Sequence, residues 1–193
     1  MTASPATTGR RFYLPPFRVD LEIRASVPGL VPAAALARLL RSALEAGGAP
    51  QPASVGLVLA DDRELTRLNR AFLKKPGATD VLSFPLLPPE AYPARPGAPP
   101  GHAAGGSRAT SPAFLLPPGA RLHLGDIVIS VERAIRQAAE GHGGQTGDVQ
   151  SAPADEIRLL VVHGGLHLCG WDHAEPAEEV AMRELERTIL AAG

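Results

Sequence analysis

His163-Gly164-Gly165-Leu166-His167-Leu168-Cys169-Gly170-Trp171-Asp172-His173 decides how this chain is read. Residues four apart are neighbours on a helix, so His163 and His167 share one face. Gly170 accepts the left-handed conformation common just past a helix end and offers a stop there. The chain can then turn and carry His173 back toward the other two. Three imidazoles with an open fourth position describe a catalytic zinc site better than a structural one, which four protein ligands normally close. Iron, nickel and cobalt also accept imidazole, so the spacing predicts one metal ion per chain more firmly than it predicts zinc.

The segment leading into this stretch, Leu159 to Val162, continues apolar through Leu166 and Leu168. A helix apolar nearly all round is a buried central one. Gly164 and Gly165 in its middle each cost about 1 kcal/mol against alanine. Close packing of Gly165 on a sheet and room for substrate at Gly164 are the expected compensations. Cys169 lies about 240° round the helix from His163 and is expected in the core rather than at the metal. The 4-then-6 histidine spacing matches HExxHxxGxxH zinc proteases, but Gly164 stands where they place the glutamate base, which argues against peptidase chemistry. No Ser/His/Asp signature and no GxxxxGK[ST] phosphate loop is evident along the chain.

Outward from the histidines, strand and helix patterns alternate. Val19, Leu21 and Ile23 alternate with polar residues as a half-buried strand does. Pro32 to Ala46 reads as a helix between a Pro start and a Gly47-Gly48 stop. Strands are expected at Ser54–Ala60, Thr79–Leu86 and Leu124–Ser130, and further helices at 61–75, 131–140, 155–169 and 176–190. Asp61 should cap the 61–75 helix, with Glu64 three residues on. On it Arg63, Arg67, Arg70 and Lys74 fall within about 60° of one another, with Lys75 extending the cluster. Leu65, Leu68 and Phe72 should face the core. A basic stripe of this kind can hold a phosphate backbone.

Composition bounds the rest. The 193 residues, 45% hydrophobic, suit one domain with a real core. Residues 1–16 are expected to be flexible, 87–121 to be a Pro/Gly/Ala-rich insertion outside the core, and 141–153 a polar linker. The one cysteine forms no internal disulfide and suits a reducing compartment. The first residues lack the apolar stretch of a signal peptide, and no apolar run approaches the roughly 20 residues of a membrane helix, so a cytoplasmic protein is expected. The net charge of −1 gives no global sign of nucleic acid, and such a partner would meet a local basic patch.

Three blocks together resemble the YbeY family of single-strand-specific metallo-endoribonucleases: LNRAFLKKPGATDVLSFP (68–85), LGDIVIS (124–130) and HGGLHLCGWDH (163–173). The resemblance covers most of 17–190. It implies an α/β (α+β) fold: a small mixed four-stranded sheet, about five helices and a zincin-like, metal-bearing central helix beneath one face. It implies zinc held by His163, His167 and His173, and cleavage of single-stranded RNA in maturation of the 16S rRNA 3′ end and in ribosome quality control. The small ribosomal subunit is then the partner, with neither DNA nor membrane expected. Asp172 would orient a ligand or carry a proton. Family members often follow the aromatic of the first block with an arginine implicated in activity; here Phe72 is followed by Leu73, and Arg70 or Lys74 would supply the cation. The rival readings are a metal-dependent hydrolase of another substrate, such as a peptide, and a non-catalytic ribosome-associated zinc module.

Overall fold

The computed structural model describes residues 7–74, 76–96, 121–141 and 150–193. Five strands form one mixed sheet in the order β1-β2-β3-β5-β4. They are β1 (Thr8–Leu14), β2 (Phe17–Ile23), β3 (Ala53–Ala60), β4 (Val81–Pro85) and β5 (Leu122–Ser130). β2, β3 and β5 run parallel, and the two edge strands β1 and β4 are antiparallel to their neighbours.

The expected sheet lacked β1. Thr8–Leu14 was assigned to a flexible start, yet it pairs with β2 across the Pro15-Pro16 turn, with Leu14 opposite Phe17 and Phe12 opposite Val19. A Pro-Pro pair ends one strand, and a two-residue turn starts the next. Phe12 and Leu14 rest on the core, which secures this edge.

Alternation along the strands sorts the faces. Leu21, Leu57, Leu59, Ile127 and Ile129 join residues of α1 (Ala33–Ala46), α3 (Val131–Glu140) and α4 (Pro153–Leu168) in the main core. Ala60, Leu82 and Val128 point to the other face and meet Leu65 of α2 (Asp62–Leu68). α5 (Pro176–Ala192) closes over α1 and α4 through Met182 and Ile189.

α4 is buried nearly all round, as its sequence predicts, and its glycines explain how it fits. Neither takes its expected role. It is Gly164 that packs on the sheet: a Cβ there would lie 2.8 Å from Ile127 Cγ2 and 3.2 Å from Ser83 Oγ. Gly165 faces α1, where a Cβ would meet Ala43 and Leu40 at 3.0 Å. Neither residue makes room for substrate.

The 61–75 helix departs more. Asp61 caps it, its carboxylate accepting from the Glu64 N–H at 2.8 Å. Glu64 turns instead to Arg24, with bonds of 2.9 and 3.0 Å. Regular helix ends at Leu68, and a wider π-turn covers Asn69–Leu73 before Lys74 adopts a left-handed φ of 59°. The widened turn changes the phase of the sequence. Asn69 takes the buried position and donates to the Gly77 carbonyl at 2.9 Å, while Phe72, expected in the core, is 64% exposed. Arg63, Arg67, Arg70 and Lys74 are all exposed, Arg70 in the π-turn and Lys74 at its left-handed end. Lys75 lies outside the described residues.

The 87–121 segment is not wholly outside the core. Pro89–Ala91 forms a short 3-10 turn, and Tyr92 is 3% exposed in the main core. Residues 97–120, and 142–149 of the expected linker, lie outside the described residues. No described helix is long and apolar enough to cross a membrane.

Candidate metal centre

The histidines meet because α4 ends as a Schellman motif. The Trp171 N–H donates to the Leu166 carbonyl at 3.1 Å and the Gly170 N–H to the His167 carbonyl at 2.9 Å, with Gly170 at φ 81°. The chain reverses, and one ring nitrogen from each of His163, His167 and His173 falls within 4.8 Å of the others. His163 is buried, His167 half-buried and His173 exposed. Solvent therefore reaches the cluster from the His173 side.

Hydrogen bonding fixes two of the rings. His167 Nδ1 lies 2.7 Å from the Trp171 carbonyl oxygen, which only accepts, so this nitrogen carries the hydrogen. Burial, and then the neighbouring His163, push the His167 imidazole down to about 4, and it stays neutral at physiological pH. His163 Nδ1 lies 2.7 Å from Glu186 Oε1, whose side chain is 2% exposed. A carboxylate there takes the Nδ1 hydrogen and sets the ring's orientation. The Nε2 atoms of the two rings face each other at 2.9 Å, and His167 Nε2, its Nδ1 carrying the hydrogen, offers a lone pair there. The donor set thus fits a divalent metal that accepts imidazole, with His173 as third ligand.

A second clip holds the loop that carries His173. Glu178 Oε1 accepts from the Asp172 N–H at 3.0 Å and from Arg95 Nε at 2.6 Å. Arg95 also donates to the Gly170 carbonyl. The Arg95 and Glu178 side chains are 6% and 2% exposed. Asp172 itself acts on backbone: its Oδ1 accepts from the His173 N–H at 2.7 Å.

Two hollows open beside the rings. One, of about 350 Å³, is lined by all three histidines with Leu73, Asp80, Ser83 and Pro85 among its walls. The other, of about 310 Å³, places Asp80, Glu179 and Arg183 beside His163 and His173. Neither Arg70 nor Lys74 lines either hollow; Lys74 Nζ donates instead to the Ala71 carbonyl at 2.9 Å.

Glu186, Glu178, Arg95 and Arg183 escaped the reading of the sequence. Glu178, Met182 and Glu186 stand four apart, on the stripe that α5 buries. Carboxylates in register with a buried methionine were the available signal. Cys169 is fully buried, and burial pushes its thiol up to about 12, so it is no nucleophile at neutral pH. Folding does assemble one Ser/His/Asp contact unseen along the chain: Ser54 Oγ is 3.2 Å from His123 Nδ1, and His123 Nε2 is 3.3 Å from Asp126 Oδ1. Ser54 is 2% exposed, which denies a substrate access to its hydroxyl.

Fold and site together define an α+β protein whose central helix presents a metal-competent histidine cluster. The sequence model of the family described as Endoribonuclease YbeY matches residues 30–192, and the chain belongs to that family. An Endoribonuclease YbeY from Roseiflexus sp. (strain RS-1) is 35% identical over 176 residues, covering 90% of this chain and 91% of its own. Another, from Thermobifida fusca (strain YX), is 38% identical, covering 81% of this chain and 82% of its own. A third, from Chloroflexus aurantiacus (strain ATCC 29366 / DSM 635 / J-10-fl), is 39% identical, covering 79% and 81%. A solution structure of TM1509 from Thermotoga maritima aligns over 91% of this chain and 89% of that one, at 18% identity and a TM-score of 0.46.

Proposed function

We propose that this chain is a zinc-dependent endoribonuclease that cleaves single-stranded RNA in the cytoplasm. Its substrate is the ribosomal RNA of the small subunit, cut in maturation of the 16S 3′ end and in ribosome quality control. Family membership supports the reaction class. The observation that carries the metal is the convergence of the His163 and His167 Nε2 atoms at 2.9 Å, each with its Nδ1 already engaged. His163, His167 and His173 would hold one ion. When bound, such an ion supplies Lewis-acid polarisation of a phosphoryl oxygen or activation of a water.

The chain's own residues prepare that chemistry. Glu186 and the Trp171 carbonyl set two tautomers. Asp172 and Glu178 hold the turn that delivers His173. Arg183, lining the hollow shared with His163 and His173, is the cation best situated to meet a phosphate. Arg70 and Lys74 would attract the strand from the exposed turn that carries Leu73. Gly164, packed against Ile127, leaves no space for the carboxylate a zinc protease needs at its position.

The test combines metal analysis of the purified protein with cleavage of single-stranded RNA, duplex RNA and casein. One metal ion per chain and cleavage of the single strand alone are expected, both lost on chelation. Casein hydrolysis would instead favour another hydrolase. RNA binding without cleavage would favour a non-catalytic module.

A further inference from the structure

The widened turn before β4 leaves an apolar surface that the metal centre does not use. Phe72 is 64% exposed, Leu73 52% and Leu86 63%, three of the six exposed large hydrophobic residues among those described. Phe72 and Leu73 are consecutive in the π-turn. The Phe72 and Phe84 rings meet edge to face with centroids 5.2 Å apart. Leu86, also exposed, follows directly on the end of β4. Leu73 and Pro85 carry the surface round the edge strand into the hollow lined by the three histidines.

Exposing a phenylalanine costs stability, and the sequence could have kept it buried: a regular helix through residue 72 would have placed it on the core side. The π-turn, a feature frequent at functional sites, turns it outward. Two exposed cations, Arg70 and Lys74, flank it in sequence. Aromatic faces interleaved with cations are how proteins bind single-stranded nucleic acid: bases stack on rings while the charges track the backbone. A base inside a duplex has both faces covered and offers nothing to stack.

We infer that Phe72, with Leu73 and Phe84 beside it, is a platform on which an unpaired base next to the cleaved bond stacks. This inference rests on the proposed endoribonuclease reading, and it supplies that reading with a physical origin for single-strand preference. The strand would cross the β4 edge, its stacked base outside and its phosphate over the histidines.

The experiment uses the full-length, metal-loaded protein. Phe72→Ala should keep its metal content and melting temperature, because the side chain is exposed. Its KM for single-stranded RNA should rise about tenfold, within the range reported by alanine substitution of stacking aromatics, with kcat changed less than about threefold. Phe72→Trp should restore KM, and its indole fluorescence should be quenched by the strand. A strand with abasic positions around the cleaved bond should show no difference between wild type and Phe72→Ala. If the wild type cleaves RNA but Phe72→Ala leaves KM unchanged and Phe72→Trp is not quenched, the platform is overturned and the endoribonuclease reading stands. A surface serving a protein partner would give that same result. If the wild type neither binds nor cleaves RNA, the endoribonuclease reading fails, and the platform with it.

Discussion

The hollow before the histidines has two walls built on opposite terms. The wall formed by the end of α4, with α5 and Arg95 behind it, is closed. Its glycines are in contact with neighbouring side chains, and the buried ionic groups Glu178, Glu186 and Arg95 are engaged in hydrogen bonds or ion pairs. The wall formed by the π-turn and β4 is open, with Phe72 and Leu73 exposed. The difference separates holding a metal from meeting a flexible polymer. A ligand set must keep its geometry when empty, whereas a binding lip must stay accessible. Substitutions in the first wall should therefore strike metal and stability together, and those in the second should strike substrate alone.

His167→Ala is the hardest blow to the closed wall. Metal content should fall from one ion per chain to near zero, and RNA cleavage by at least about a hundredfold, since zinc sites depend on each of three ligands. His123→Ala, on the outer sheet face, should change neither. Retained metal in the His167→Ala protein would remove the comparison's foundation.

Arg95→Ala should come next. It leaves Glu178 buried without its cation, a change costing about 3–5 kcal/mol in other buried pairs. It also frees the loop bearing His173. Denaturant unfolding should show the loss, and a competing chelator should strip the metal more readily. Unchanged stability would mean that this contact adds nothing to the closed wall.

Glu186→Gln should be milder. It keeps a group able to accept from His163 Nδ1 but removes the negative charge. Metal affinity should fall by about 10- to 100-fold, as when other partners of ligating histidines are changed. Competition titration measures it, with the fold intact by circular dichroism.

The smallest effect lies away from both walls, where α2 meets α3. Burial raises the Asp62 carboxyl, but the Ser130 hydroxyl, Arg136 and Arg133 outweigh it and hold the group below its ordinary value. A carboxylate with a lowered folded-state pKa stabilises the fold above its unfolded value and loses that contribution as pH falls through the folded one. Asp62→Asn should therefore be less stable than wild type near neutrality, and the gap should close below about pH 4. Because Asp62 is partly exposed, the gap should be small. A gap that is constant with pH would show that this link between α2 and α3 is not ionic.

The closed wall was legible in the sequence wherever its signals were local. The spacing of three histidines and a glycine stop lies within one short stretch, and alternation in one strand and apolar or β-rich runs in three more marked four of the five strands. What was hidden depended on tertiary contact. Arg95 sits in a Pro-rich segment that resembles solvated chain. Glu178 and Glu186 look like surface carboxylates until α5 is known to bury them. The sheet is met by Gly164 rather than Gly165 because a helix apolar all round does not reveal which side faces the sheet. Phe72 is exposed rather than buried, since no propensity marks the step from α- to π-geometry.

One consequence follows from the ligands lying so close together in the chain, between residues 163 and 173. An unfolded chain need close only a short loop to bring these histidines together, so a metal held by the folded site should also bind the denatured state. Binding to both states cancels part of the stabilisation that affinity alone would confer. Adding metal should then raise the melting temperature less than its dissociation constant implies. The discrimination between folded and unfolded chain falls to Glu186, which meets His163, and to Glu178 and Arg95, which hold the Gly170–Asp172 turn, once α5 and the 87–96 segment have docked.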